Sequence, residues 1–280
     1  MSVTSGIDVN KALRGPVLGT VIAIVINAAM DATGLSGLSF ASLLPLMLIF
    51  WAMQGLSRKG IGLAFGRLQY YGLALLHPIL IIGAIATICF AAGVADVSKV
   101  NWLSARNDFL FTVAISIPLA ILTEEGFFRG WLYGSLQRAG MSELKIMIWT
   151  GVAFSLWHIP AVSMNTEDAL PLAQIPVLLL NAVFVGAIWG MLRSISGSII
   201  VTSVCHAVWN ACVYVLFGFG TTVGVLGVKQ TAIYGPESGL LGLGLNLVLT
   251  LLLWQWWKKR EIKKLHDRDL GAIQAAMQQA

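Results

Sequence analysis

Apolar runs of about twenty residues recur along the whole chain, separated by short polar segments. A helix of that length crosses the hydrocarbon core of a bilayer, which is roughly 30 Å thick. The pattern predicts spans at 15–31, 38–56, 70–94, 109–137, 144–164, 170–192, 195–217 and 238–257. The first is the least regular, being interrupted by Gly19 and Asn27. Segment Ser57–Gln69 sets Arg58, Lys59 and Arg67 around Ile61, Leu63, Ala64 and Phe65, which predicts an amphipathic stretch on the membrane surface. Ala95–Asn107 reads as a polar loop whose Trp102 and Leu103 dip into the interface, and Phe217–Ser238 as a long, glycine-rich external loop. The predicted fold class is therefore all-α, a polytopic membrane protein of about eight transmembrane helices in one bundle. Residues 1–257 form a single transmembrane domain carrying any chemistry, and 258–280 a basic tail.

Composition sharpens this picture. The 280 residues are 57% hydrophobic and only 11% charged, with a mean hydropathy of +0.81, whereas a soluble domain carries about 25% charged residues. Net charge is +5, and its distribution is more informative than its size. With eight spans, one side receives two basic residues before the first span, three in 58–67, three in 129–145, Arg193, and six from Lys258 onward. That is fifteen of the eighteen Lys and Arg; Lys99, Arg106 and Lys229 fall opposite. The positive-inside rule then predicts that both termini and Arg138 are cytoplasmic and that Glu167 and Asp168 are external. The basic tail directly follows Trp254-Gln-Trp256-Trp257, so it reads as an interfacial anchor, with no nucleic acid as a partner. Removing the first span as a signal peptide would break the charge alternation, so a retained span is expected. Cys89, Cys205 and Cys212 lie in apolar runs without metal-type or disulfide-framework spacing. The glycine-rich runs lack the strand–loop–helix setting of a nucleotide site.

Charges inside an apolar run change the picture further. Glu124, Glu125 and Arg129 interrupt the fourth span, His158 the fifth and His206 the seventh. An ionisable side chain at mid-bilayer costs roughly 2.5–3.5 kcal/mol even on gentle scales, so such residues mark function. Glu124 lies 17 residues before position 141 in the intervening turn, and His158 lies 17 after it. A common helical rise puts them at one depth, with His206 slightly nearer the basic side. Glu125 and Arg129 are spaced i,i+4 for pairing, which leaves Glu124, about 100° around the helix, to face another neighbour. Phe154 with His158, and His206 with Asn210, likewise share helical faces. A lone Glu–Arg pair is often a packing device and a lone buried histidine a satisfied core residue; His77 and His266 are read that way. The ordered set is better explained as acid–base chemistry.

Three pieces, Glu124-Glu125-Gly-Phe-Phe-Arg129, Phe154-Ser-Leu-Trp-His158 and His206-Ala-Val-Trp-Asn210, resemble the signature of the CPBP family, the CAAX-protease and bacteriocin-processing family of intramembrane glutamic endopeptidases. Its pattern is E-E-x-x-x-R, then F-x-x-x-H, then H-x-x-x-N or D. The resemblance implies that Glu124 activates a water molecule for attack on a peptide carbonyl while His158 helps to hold it. It implies that His206 and Asn210 stabilise the oxyanion, and that Arg129 holds Glu125. No metal and no cofactor are implied, and a cytoplasm-facing cavity is expected to admit water. The partners are a peptide or protein substrate, including membrane-associated ones, and the lipid bilayer. The expected location is the bacterial cytoplasmic membrane. Two other classes stay open. A metalloprotease would need Glu124, His158 and His206 as ligands, since no H-E-x-x-H is present. A transporter or non-catalytic scaffold also places Glu and His in membranes, but no inverted repeat is visible. Ser155 and Ser198 lack the glycine setting of a serine intramembrane protease.

Overall fold

The computed structural model describes residues 9–164 and 170–279; Glu167 and Asp168 lie outside them. The described residues form an all-α bundle: α1 Val9–Ala32, α2 Leu43–Gln54, α3 Leu68–Ala91, α4 Trp102–Leu122, a π-helical segment Glu125–Leu132 running into α5 Tyr133–Arg138, α6 Glu143–Ser163, α7 Ile175–Ser196, α8 Ile199–Ala211 with a π-helical extension Cys212–Phe217, α9 Thr231–Tyr234 and α10 Leu240–Gln279. Eight helical stretches among them are long and apolar enough to cross a membrane, each within a few residues of the hydropathy pattern except at the start of the fourth. The chain is an integral membrane protein. Large apolar side chains such as Leu110, Phe111, Val248 and Leu252 point outward, the arrangement required when the surroundings are lipid rather than water.

Local chemistry explains the departures from the hydropathy pattern. The fourth span starts at Trp102 because Asn101 caps it, its side chain accepting from the Ser104 N–H at 3.1 Å. Hydropathy alone misses that turn, which is polar. The amphipathic stretch Ser57–Gln69 is built as a chain of turns up to Arg67, after which α3 begins. Gly62 adopts φ +72°, and its carbonyl accepts from Ile199 N at 2.9 Å, so this loop is stitched to the start of α8. Ser198 caps α8, accepting from Ile200 N and Val201 N, and Gly197 ends α7 at φ +70°. The Phe217–Ser238 segment contains α9 and folds back on the bundle, with Leu226 accepting from Asp96 N at 2.9 Å.

The basic segments gather at one end of the bundle. Arg138 reaches the Gln54 carbonyl, and Trp257 donates to Ser194 Oγ at 3.2 Å. Arg193 Nε and Nη2 donate to Arg129 O at 3.1 Å and Gly60 O at 3.0 Å, and its guanidinium lies 5.0 Å from the centre of the Tyr133 ring. That end is closed by protein.

Helices α6 and α7 cross closely at Gly151 and Gly186, where a Cβ on Gly186 would lie 2.9 Å from Gly151 Cα and 3.2 Å from Arg129 Nη2. Small residues at such a crossing let backbones approach in a membrane, where no hydrophobic drive pulls helices together. The crossing thereby seats α7 against Arg129 of the Glu-Glu motif.

Candidate active site

The Glu-Glu motif sits at a break in the fourth span. Pro118 lies inside α4, which ends at Leu122; Thr123 takes φ −120° and ψ −99°, and the chain resumes with π-type hydrogen bonding at Glu125. Such segments are rare and recur at functional sites. Gly126 is required here, because a Cβ would meet Ile121 O at 2.3 Å and Met47 Sδ at 2.7 Å. The break leaves the two adjacent carboxylates in different environments.

Glu125 and Arg129 are both fully inaccessible, and Arg129 Nη1 donates to Glu125 Oε1 at 3.2 Å. The rest of the guanidinium is wrapped by aromatic faces, its carbon 4.3 Å from the centre of the Phe154 ring and 5.1 Å from that of Trp189. Phe154 thus shields the cation, an arrangement worth more when desolvated. Glu124 remains 19% accessible and lines a cavity of about 510 Å³. His206 stands between the two: Nδ1 lies 3.1 Å from Glu125 Oε1 and Nε2 lies 3.8 Å from Glu124 Oε2. Its ring stacks on Trp189, centres 4.2 Å apart. His158 Nδ1 is 2.7 Å from the Phe154 carbonyl oxygen, so that nitrogen carries the proton. In the neutral ring the proton-free nitrogen is then Nε2. His158, His206 and Asn210 line the same cavity as Glu124. The structure therefore brings together all seven residues singled out in the sequence, five of them on the cavity wall, with Glu125 and Arg129 behind them and Phe154 touching both layers. Among the described residues, no group of three or more His, Cys, Asp or Glu has a geometry that could hold a metal ion.

The cavity does not lie on the basic side. From the Glu124–His206 layer its wall continues through Ala161 and Val162 of α6, Leu178 of α7, and Tyr214, Phe219 and Thr222 beyond α8. These residues lead toward the ends joined by 163–175 and 218–239, opposite Arg138 and Arg193. The cavity extends toward the end opposite the basic loops; at the basic end, Arg193 and the 57–67 turns pack against Arg129 and the start of α8.

Sequence reading missed four participants: Trp189, Trp209, Asn181 and Glu237. Trp209 Nε1 donates to Glu237 Oε1 at 2.8 Å, and Asn181 Nδ2 donates to the Pro236 and Glu237 carbonyls at 2.8 and 2.9 Å. Asn246 Nδ2 bonds Asn181 Oδ1 at 3.0 Å, and His77 Nε2 reaches Asn246 Oδ1 at 3.0 Å. His77 is thus a satisfied core histidine, as read, but one stacked on Trp209 at 4.6 Å. A glutamate just before an apolar span is an ordinary interfacial residue, so Glu237 carried no signal in the sequence.

The fold and the site together define a polytopic membrane protein with a glutamate, two histidines and an asparagine lining one cavity, and a second glutamate sealed behind them. Comparison with known families is consistent with that class. Residues 106–212, which contain all three motifs and make up less than half of the chain, match the family model described as Type II CAAX prenyl endopeptidase Rce1-like. The match and the motifs inside it make this region similar to the CAAX-protease family, a family of peptidases. No curated protein and no solved structure matches the chain.

Proposed function

We propose that this protein is an intramembrane endopeptidase in which Glu124 activates the attacking water without a metal ion. The observation that carries the reading is the division between the glutamates: Glu124 is the carboxylate on the cavity, and Glu125 is sealed between Arg129 and His206. Glu124 takes a proton from water held with the help of His158 Nε2, and the oxygen adds to the peptide carbonyl carbon. The oxyanion that forms is met by Asn210 Nδ2 and by His206. His206 Nδ1 is held on Glu125, which turns Nε2 toward the cavity and the oxyanion. Collapse of the tetrahedral adduct breaks the C–N bond, and Glu124 returns its proton to the leaving amine. Substrate is a peptide segment that reaches the cavity from the end opposite the basic loops. With those loops cytoplasmic, that is the external face.

Cleavage of a peptide library by the purified protein, read by mass spectrometry, tests the reading. Defined fragments should appear and persist after prolonged chelation. Activity lost on chelation and restored by stoichiometric zinc would move the protein to the metalloprotease class, and no cleavage of any peptide or membrane-tethered substrate would leave the scaffold reading.

A further inference from the structure

Glu237 enters the cavity from outside the three motif helices, and it is held there firmly. Its Oε1 accepts from Trp209 on α8, next to Asn210, while its backbone carbonyl accepts from Asn181 on α7. Asn181 in turn is fixed by Asn246 on α10. Oε2 has no hydrogen-bond partner among the described residues, and none of the ion pairs among them involves Glu237. Burial pushes its carboxyl above the usual carboxylate range, with Glu124 adding to the effect and Trp209 and His206 opposing it. A carboxyl kept unpaired in a half-buried place costs stability that an amide or apolar residue would not. The charge is therefore retained for something that arrives.

What arrives is indicated by the rest of the wall. It carries two carboxyl groups, Glu124 and Glu237, and no Lys or Arg. Tyr214 and Phe219, paired with ring centres 6.0 Å apart, add aromatic surface near the mouth. Carboxylate beside aromatic surface suits a cation on a long apolar stem. It disfavours a free carboxylate, which like charges repel.

We propose that Glu237 is a specificity-determining residue that receives a cationic side chain, Lys or Arg, of a peptide bound across Glu124. This rests on the proteolytic reading above. The ammonium or guanidinium bonds to Glu237 Oε2, and the backbone between that residue and the scissile bond lies along Trp209 and Asn210.

The test uses the purified full-length protein and paired peptides differing only by Lys or norleucine at one position near the cleaved bond. The parent should favour the Lys peptide in kcat/KM by about tenfold, the size of one charge-assisted hydrogen bond, with the difference in KM. Glu237→Gln should bring that ratio to about one, Glu237→Asp should retain part of it, and Glu237→Lys should favour a Glu-bearing peptide. A parent indifferent to Lys at every position overturns the proposal, even if Glu237→Gln fails to fold. So does an unchanged ratio in Glu237→Gln, or a fall in kcat equal for both peptides, which would put Glu237 in the chemistry. Binding of the same peptides to Glu124→Gln protein, followed by calorimetry, separates the two readings. Tighter binding of the Lys peptide that vanishes on adding Glu237→Gln supports the subsite whether or not cleavage is ever seen, and equal binding of both peptides overturns it.

Discussion

The two ends of this bundle handle buried polar groups in opposite ways. At the basic end, Arg193 donates to the carbonyls of Arg129 and Gly60, the 57–67 turns hydrogen-bond to α8, and the protein closes on itself. At the other end, Glu124, Asn210 and Glu237 keep polar atoms directed into a cavity of about 510 Å³. Polar groups turned toward protein specify the fold, while those on the cavity wall are open to a ligand. The same contrast is repeated within one dipeptide, Glu125 belonging to the closed half and Glu124 to the open half.

The largest expected effect comes from breaking the closed half. Arg129→Ala leaves Glu125 charged and inaccessible, and removing one partner of a buried pair costs about 3–5 kcal/mol. The detergent-solubilised variant should melt well below the parent, and a parental melting temperature would mean that the pair contributes nothing. On the open half, His206→Ala should lower kcat about 10²–10³-fold, the usual effect of deleting an oxyanion donor. Asn210→Asp should do less damage, because the family pattern also carries Asp there. The reverse order would exchange their importance. Gly186→Ala tests the α6–α7 crossing beside Arg129. Its Cβ would press on Gly151 and Arg129 Nη2, so a loss of about 1–3 kcal/mol is expected in thermal unfolding.

The smallest effect is one of pH. Burial raises the Glu237 carboxyl's affinity for its proton, so the folded chain binds that proton more tightly than the unfolded one. The resulting stability is full below the ordinary carboxyl value and is lost as pH rises through the raised folded value. Glu237→Gln lacks this dependence, so its melting temperature relative to the parent should increase between about pH 4 and about pH 8. A flat difference would mean that Glu237 pays no cost for its burial.

What was legible in the sequence follows from what each signal encodes. Hydropathy found the eight spans because lipid imposes a composition on every one of them. The three motifs were legible because charged and imidazole groups stand out against apolar runs, and helical spacing placed Glu125 with Arg129 and Phe154 with His158. The cavity's direction was not legible, because it depends on loops folding back: the 57–67 turns hold no helical period, and their role appears only once Arg193 reaches them. Glu237 and Asn181 were hidden for a related reason. Their partners, Trp209 and Asn246, lie 28 and 65 residues away, beyond any local pattern.

The most direct test of the account sets Glu124→Gln beside Glu125→Gln, measuring single-turnover peptide cleavage and thermal unfolding on the same preparations. Glu124→Gln should unfold like the parent and lose at least about 10²-fold in cleavage, the scale of removing a general base. Glu125→Gln should unfold at lower temperature, because it leaves Arg129 without its counter-charge. Glu124→Gln cleaving at the parental rate, with Glu125→Gln folded and inactive, would contradict the assignment of chemistry to the cavity-facing carboxylate.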